Sequence, residues 1–257
     1  MEIDRRNFLK LAGLVGVGIA AKPIINVLSP AHAQDSNHNE EVSSDTHYAM
    51  IVQPKLCEED CTDCIEACHR VHNVPEIDVE RQRIKWIRKA GFEGAFGEEP
   101  PEFLEDELHG FEYLVLCNHC SSPPCVRVCP TKATFKRKDG IVLMDYHRCI
   151  GCRFCISACP YGARSLNWKN PVPYIKDINQ NFPTRTRGVV EKCNFCAERL
   201  AKGQQPACVE ACSKKALVFG DLNDKESEVS QLLRSNSSNW RVRKPIAGTE
   251  PNVYYIM

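Results

Sequence analysis

The sequence predicts an α+β fold in which two similar units are intertwined, with loop insertions and an extended C-terminal tail. The chain has 257 residues and 16 cysteines, and the cysteines fall into four groups of four, which indicates an internal repeat. Each group ends in the same C-x3-C step. Short apolar runs that are typical of strands flank the groups, and a hydrophobic content of 43% is that of a globular protein.

The first 33 residues are interpreted as an export signal, not as part of the fold. They contain the paired Arg5 and Arg6, an apolar stretch over 11–21, and small residues at Ala31 and Ala33. This order is typical of a cleaved twin-arginine signal, which would take the folded protein to the periplasm. The alternative is an uncleaved signal that acts as an anchor. The apolar stretch is shorter than the roughly 20 residues that cross a bilayer, which favours cleavage.

The rest of the chain divides by composition and by the cysteine groups. Residues 34–47 are polar and predict a flexible mature N-terminus. The predicted segments that follow are a first part of unit 1 with an insertion (48–116), unit 2 (117–165), a loop with the second part of unit 1 (166–222) and a C-terminal extension (223–257).

Apolar runs beside the groups predict the strands. Tyr48 to Val52 precedes the first group, and Ala216 to Phe219 follows the fourth. Asp139-Gly140, flanked by apolar residues, predicts a β-hairpin between the second and third groups. Two insertions stand out: 69–116 carries a basic and then an acidic run, and 160–192 is rich in Pro and Asn. These patterns predict solvated faces and an extended loop.

The third cysteine group has the C-x2-C-x2-C-x3-C-P spacing of bacterial ferredoxins. Three thiolates on a tight loop can bind three irons of one [4Fe–4S] cluster, and the fourth, predicted to begin a helix, reaches the neighbouring cluster. Two groups therefore build one bacterial-ferredoxin-like unit, and four groups predict two units with four [4Fe–4S] clusters. The groups are Cys57, Cys61, Cys64 and Cys68; Cys117, Cys120, Cys125 and Cys129; Cys149, Cys152, Cys155 and Cys159; Cys193, Cys196, Cys208 and Cys212.

Disulfides, zinc and covalent haem are the alternatives for these cysteines. Disulfides would suit an exported protein, but they leave the clustering into ferredoxin-like runs unexplained. Zinc sites usually pair two separated C-x2-4-C knuckles, which the third group does not match. The stretch from Cys64 to His69 has one residue too many for a C-x-x-C-H haem site. The first, second and fourth groups have longer loops, yet none lacks a cysteine.

Other side chains near the groups suggest tuning and packing, not catalysis. Nearby cations raise the potential of a cluster, although they also serve solubility. The cations are Arg127, Arg148, Arg153 and Lys192. Phe154 and Phe195 are interpreted as packing that excludes water from the cluster loops.

No constellation in the sequence indicates a catalytic site, so the chain is predicted not to be an enzyme. Its histidines have no helix-spaced carboxylate partners and are interpreted as structural, or as hydrogen-bond donors near clusters. They include His69, His72, His109, His119 and His147. Lys plus Arg and Asp plus Glu each number 33, which gives no reason to expect nucleic acid as a partner.

The four groups in this order, with a long interval between Cys196 and Cys208, resemble the iron–sulfur subunits of the DMSO reductase family over about residues 48–220. The resemblance implies that the first group pairs with the fourth and the second with the third, the last cysteine of each group serving its partner's cluster. The implied ligand sets are site 1 (Cys57, Cys61, Cys64, Cys212), site 2 (Cys68, Cys193, Cys196, Cys208), site 3 (Cys117, Cys120, Cys125, Cys159) and site 4 (Cys129, Cys149, Cys152, Cys155).

Several stretches are similar to the DsrO-type subfamily, which belongs to the Dsr membrane complex of dissimilatory sulfur metabolism. They are 64–69, 72–75, 140–155, 190–200 and 253–257. The resemblance implies a periplasmic subunit that docks on an NrfD-type, quinone-handling membrane subunit and relays electrons between it and a c-type cytochrome. Two other functions stay open: an iron–sulfur subunit feeding a molybdopterin oxidoreductase such as polysulfide reductase, and a free-standing polyferredoxin shuttle. The insertions and the tail argue against the shuttle.

Overall fold

The computed structural model describes residues 45–97 and 111–257. The predicted signal (1–33), most of the predicted flexible N-terminus, the acidic run over 98–107 and His109 lie outside the described residues. In the ranges described, every helix is too short or too polar to pass through a membrane.

Short helices and strands alternate along the described residues. The helices are α1 (Asp63–Val71), α2 (Phe92–Phe96), α3 (Pro124–Arg127), α4 (Phe154–Ser157), α5 (Ala197–Leu200), α6 (Ala207–Glu210) and α7 (Glu228–Ser235). The strands are β1 (Tyr48–Val52), β2 (Ile87–Ala90), β3 (Tyr113–Leu116), β4 (Thr134–Lys136), β5 (Val142–Met144), β6 (Ser165–Leu166), β7 (Val190–Glu191), β8 (Leu217–Asp221), β9 (Trp240–Val242) and β10 (Val253–Ile256).

The largest sheet brings distant parts of the chain together in the order β8-β1-β10-β9. Strand β1 pairs antiparallel with β8, with Tyr48 opposite Asp221, and parallel with β10, with Met50 opposite Val253. The predicted strand at the start of unit 1 is confirmed, and the predicted strand after the fourth group begins at Leu217. The first and fourth cysteine groups are therefore joined through adjacent strands.

The C-terminal residues form regular structure where the sequence predicts an extended tail. Helix α7 begins after Ser227, whose side chain accepts a hydrogen bond from Ser230 N, and Val229 of this helix is fully buried. Strand β10 buries Val253 and Tyr255 completely. Val253 and Tyr255 pack on one face of the sheet, and Tyr254 and Ile256 pack on the other. Strand β10 is therefore covered on both faces and is not an exposed tail.

The first insertion also contributes to the core. Strands β2 and β3 pair antiparallel, with Ile87 opposite Leu116, and Trp86 beside them is fully buried. The sequence predicts that the basic run is exposed to solvent. This prediction holds only in part, since Arg88 and Lys89 are half-buried on β2.

The second unit contains the predicted hairpin, formed by β4 and β5 with Thr134 opposite Met144. Its helices α3 and α4 pack against each other, as α1 and α6 do in the first unit. Each unit thus pairs two short helices that carry cysteines, which is the arrangement of a two-cluster ferredoxin. The predicted α+β, ferredoxin-like fold is confirmed.

Candidate metal centres

Each cysteine group ends on a short helix. The third cysteine is the second residue of that helix: Cys64 in α1, Cys125 in α3, Cys155 in α4 and Cys208 in α6. The fourth cysteine follows four residues later: Cys68 lies inside α1, and Cys129, Cys159 and Cys212 lie two residues past the ends of their helices. The prediction that the fourth cysteine begins a helix is therefore wrong. Since residues four apart share one helix face, α1 presents Cys64 and Cys68 one above the other.

Three groups are followed by the same turn. Lys132, Gly162 and Lys215 have positive φ angles of 54°, 59° and 53°. Their N–H groups donate to the carbonyl oxygens of the preceding fourth cysteines over 3.3, 3.4 and 3.0 Å. The repeat seen in the cysteine spacing therefore extends to the backbone that reverses the chain after each helix.

Two cavities are each lined by four cysteines. One is lined by Cys117, Cys120, Cys125 and Cys159, together with apolar and proline side chains. The other is lined by Cys129, Cys149, Cys152 and Cys155. These are the members of site 3 and of site 4.

The members of site 1 and of site 2 also lie close enough to influence one another. Burial, together with the nearby Cys57, Cys212 and Cys61, raises the pKa of Cys64 to about 12. Burial likewise raises the pKa of Cys68 well above its ordinary value, with Cys193, Cys208 and Cys196 as the next causes. Thiols that are buried and crowded in this way become thiolates only when a cation compensates their charge.

The spacing of these thiols fits a cluster and not a single ion. In a tetrahedral zinc site with bonds of about 2.3 Å, neighbouring sulfurs lie about 3.8 Å apart. Among the described residues, which include all the cysteines, one group of three potential ligand atoms lies within 4.8 Å, and it contains a single cysteine: His72, Cys196 and Glu198. A four-iron cubane is wider than an ion and takes four cysteine thiolates, so the donor type agrees with it, and no three cysteine sulfurs among the described residues lie within 4.8 Å of one another.

Backbone N–H groups point at several of the sulfurs. Ala216 N lies 3.2 Å from Cys212 Sγ, Ala207 N lies 3.4 Å from Cys196 Sγ, and Val190 N lies 3.4 Å from Cys149 Sγ. Hydrogen bonds to sulfur stabilise thiolate ligands and influence the potential of a cluster.

Burial differs between the four sites. All four cysteines of site 2 are buried, and three of the four in site 3. In sites 1 and 4 three of the four cysteines are only partly buried. Two sites are therefore enclosed and two reach the surface.

Phe195 and Phe154 occupy opposite environments. Phe195 is buried and stacks on His119 with ring centroids 3.7 Å apart, so its predicted packing role is confirmed. Phe154 is 59% exposed, and the same prediction is wrong for it. Phe154 is the first residue of α4, in which Cys155 is the buried residue.

The cations near the groups also divide into two kinds. Arg127, Arg148 and Arg153 are exposed. Lys192 is buried and donates to the carbonyl oxygens of Val142 and, over 2.7 Å, of Cys193.

Sequence reasoning missed Arg164, which is buried and donates to Cys125 Sγ over 3.0 Å. It also donates over 3.1 Å to Met144 Sδ, a side chain that lines the cavity of site 4. Its position shortly after the third group gives no signal in the sequence, because its partners lie 20 and 39 residues away along the chain.

His72 is the histidine most closely joined to a site. Its Nε2 atom lies 2.8 Å from Glu198 Oε1, and its Nδ1 atom lies 3.7 Å from Cys68 Sγ. Burial lowers the pKa of His72, but hydrogen bonds with Cys196 and Glu198 outweigh it and raise the pKa to about 9. The carboxylate partner is 126 residues away, so helix spacing in the sequence gives no sign of it.

Comparisons with known proteins agree with this geometry. The 4Fe-4S dicluster domain matches residues 113–222. The chain is 42% identical to the Hdr-like menaquinol oxidoreductase iron-sulfur subunit 1 of Archaeoglobus fulgidus, over 98% of this chain and 97% of that protein. It is 37% identical to protein NrfC of Escherichia coli, over 100% and 96%. It is 33% identical to a tetrathionate reductase subunit of Salmonella typhimurium, over 100% and 89%.

Proposed function

Because the chain belongs to the iron–sulfur electron-transfer subunits of the DMSO reductase family, as its relatives show, we propose that it holds four [4Fe–4S] clusters, one at each of sites 1 to 4. The clusters form a row through which electrons pass between two partners. The chain is an electron-transfer subunit and not the catalytic one, in agreement with its relatives.

Each bound cluster supplies a one-electron redox centre, and the chain's own residues hold it, shield it and adjust it. The cysteines provide the ligands. Buried side chains such as Phe195 exclude water, and backbone N–H groups donate to the sulfurs. No side-chain acid or base is needed for this role.

Contacts between the sites support the order 1-2-3-4. Sites 1 and 2 share helix α1, since Cys64 and Cys68 lie one turn apart on it. Sites 2 and 3 meet where Phe195 stacks on His119. Sites 3 and 4 meet at Arg164, which donates to Cys125 of site 3 and to Met144, a residue that lines site 4.

The observation that carries the proposal is the burial of the sites along this order. The inner sites 2 and 3 are enclosed, while the outer sites 1 and 4 reach the surface. Electrons can therefore enter at one end and leave at the other, with the inner steps protected from solvent.

The two ends differ in charge and polarity. Beside site 1, exposed acidic residues lie among exposed lysines, and Glu58 is paired with Lys214. The acidic residues are Glu58, Glu59, Asp60 and Asp63, and the lysines are Lys55, Lys214 and Lys215. Beside site 4 lie exposed cations and large apolar side chains. They are Arg127, Lys132, Arg148, Arg153, Ile150 and Phe154. Different surfaces at the two ends suit two different partners.

At a finer level, we propose a periplasmic component of a Dsr complex, exported by the predicted signal and held at the membrane through a partner. The partner at site 4 is an NrfD-type membrane protein, because exposed large apolar side chains suit docking on a protein partner. The partner at site 1 is a c-type cytochrome. Similarity to an iron–sulfur protein of a menaquinol oxidoreductase supports a quinone-handling partner. The alternative, a molybdopterin protein at site 1, is supported by similarity to a tetrathionate reductase component.

Photo-crosslinking in native membranes tests the partners. A photoreactive residue replaces Ile150 beside site 4 or Leu56 beside site 1, both of which are exposed. We expect an integral membrane protein at position 150 and a haem protein at position 56. A molybdopterin protein at position 56 would establish the alternative, and recovery of an uncrosslinked monomer from both variants would favour the shuttle.

Chemical analysis tests the cofactor content. Four clusters require about sixteen iron and sixteen acid-labile sulfide per chain in anaerobically purified protein. Half of that iron, or stoichiometric zinc in its place, would contradict the proposal whatever partners are found.

A further inference from the structure

Arg164 is a buried cation with an unusual set of partners. Its side chain is 4% exposed, and one terminal nitrogen lies 3.0 Å from Cys125 Sγ and 2.8 Å from Thr134 Oγ1. The other terminal nitrogen lies 3.1 Å from Met144 Sδ. The guanidinium is thus surrounded by sulfur and hydroxyl groups.

The charge of this guanidinium has no carboxylate to balance it in the part of the chain that the structure describes. An arginine stays protonated in proteins, and a buried charge without a counter-charge is strongly destabilising. The nearest groups that can carry negative charge are the cysteines of sites 3 and 4. Cysteines bind a cluster as thiolates, so a loaded site supplies negative charge beside Arg164.

Arg164 lies between two sites. Cys125, to which it donates, is a member of site 3, and Met144, to which it also donates, lines the cavity of site 4. Arg164 also opposes the effect of burial, which raises the pKa of Cys155, a member of site 4. Lys192 nearby is different, because its ammonium donates to the carbonyl oxygens of Val142 and Cys193 and not to sulfur.

We propose that Arg164 is a positioning residue that raises the reduction potentials of the clusters at sites 3 and 4 together. A reduced cluster carries one more negative charge than an oxidised one, so a fixed cation and N–H···S hydrogen bonds stabilise the reduced form. One guanidinium that contacts a ligand of site 3 and a side chain lining site 4 acts on both clusters. The inference rests on the proposed four-cluster function.

The test is an EPR-monitored redox titration of the full-length protein, purified anaerobically, as wild type, Arg164→Met, Arg164→Lys and Arg234→Met. In Arg164→Met we expect two of the four couples to move to lower potential. Each should lose at least tenfold in its equilibrium constant for reduction, which is about 59 mV for a one-electron couple. The other two should not move.

The remaining variants separate the effect of the Arg164 charge from that of its geometry, and control for replacing an arginine elsewhere in the chain. Arg164→Lys keeps the charge but not the planar fork, so the same two couples should move by less. Arg234→Met removes an exposed arginine of α7, outside the cysteine groups, and should move none. If Arg164→Met does not fold, the smaller shift in Arg164→Lys still decides the question.

The contrary outcomes distinguish this inference from the proposed function. Four unmoved couples in Arg164→Met with full iron content would overturn the role of Arg164 alone. Both Arg164 variants could instead lose iron while the remaining clusters keep their reduction potentials. This result would show that Arg164 has only a structural role and would also overturn the inference. Fewer than four couples in the wild type would overturn the proposed function instead.

Discussion

Arg185 and Glu191 form an ion pair with 2.6 Å between nitrogen and oxygen, and neither side chain is exposed. Arg185 also donates to the carbonyl oxygens of His72 and, over 2.7 Å, of Asn73 at the end of α1. Glu191 accepts a hydrogen bond of 2.8 Å from the indole of Trp86. The pair therefore ties the long loop before β7 to the first cysteine helix and to the first insertion.

We expect Arg185→Met to lower the free energy of unfolding by about 3–5 kcal/mol, because it leaves Glu191 buried and unpaired. The double variant Arg185→Met/Glu191→Leu should recover much of this loss, since no uncompensated charge remains. Denaturation of the loaded protein under anaerobic conditions measures both. The exposed pair Arg83–Glu80 is the matched control, and Arg83→Met should change stability little. An equal loss in both single variants would contradict the interpretation.

Gly151 lies between two cysteines of site 4 with a φ angle of 67°, and a Cβ atom there would lie 2.2 Å from Gly188 O. We expect Gly151→Ala to displace the loop and to remove the site 4 cluster, lowering iron by about four per chain. Gly162 has a similar φ angle of 59° but open space around its Cβ position. Gly162→Ala should therefore keep all its iron, and equal iron loss in both variants would show that the close contact is not decisive.

The proposed pairing of groups predicts which cluster each cysteine serves. Cys212→Ser should disturb the same EPR signal as Cys57→Ser, because both are assigned to site 1. Cys208→Ser should disturb a different signal, although Cys208 lies in the same sequence group as Cys212. A shared signal for Cys208→Ser and Cys212→Ser would show instead that each group keeps its own cluster.

Export is predicted to depend on the paired arginines of the signal. Replacing both Arg5 and Arg6 by Lys should leave the unprocessed protein in the cytoplasm, because the pair is the address that the twin-arginine pathway reads. Cell fractionation measures the distribution, and Lys10→Arg serves as the control with the pair intact. Normal periplasmic appearance of the double variant would mean that the signal was misread.

The sequence predicted what depends on local spacing. The strand at Tyr48–Val52 and the hairpin around Asp139-Gly140 are confirmed, because alternation and turn chemistry act over a few residues. The membership of the chain in its family also follows from the cysteine spacing.

The sequence did not predict contacts between distant residues. Arg164, the His72–Glu198 pair and the buried Arg185–Glu191 pair depend on side chains that meet only in the folded chain. The secondary-structure propensity of a residue does not indicate that an arginine will lie beside sulfur, or that a charged side chain will be buried. The exposure of Phe154 was missed for the same reason: its neighbours are set by how α4 packs, and not by its place between two cysteines.

The position of β10 has a consequence for synthesis. Strand β1 pairs with β10, whose residues lie about 200 positions further along the chain. During synthesis, the first cysteine group is therefore made long before the strand that pairs with β1. Until residues 253–256 leave the ribosome, the inner edge of β1 stays open. Chains truncated before residue 253 would lack this strand and expose the unpaired backbone of β1, an open edge that favours aggregation.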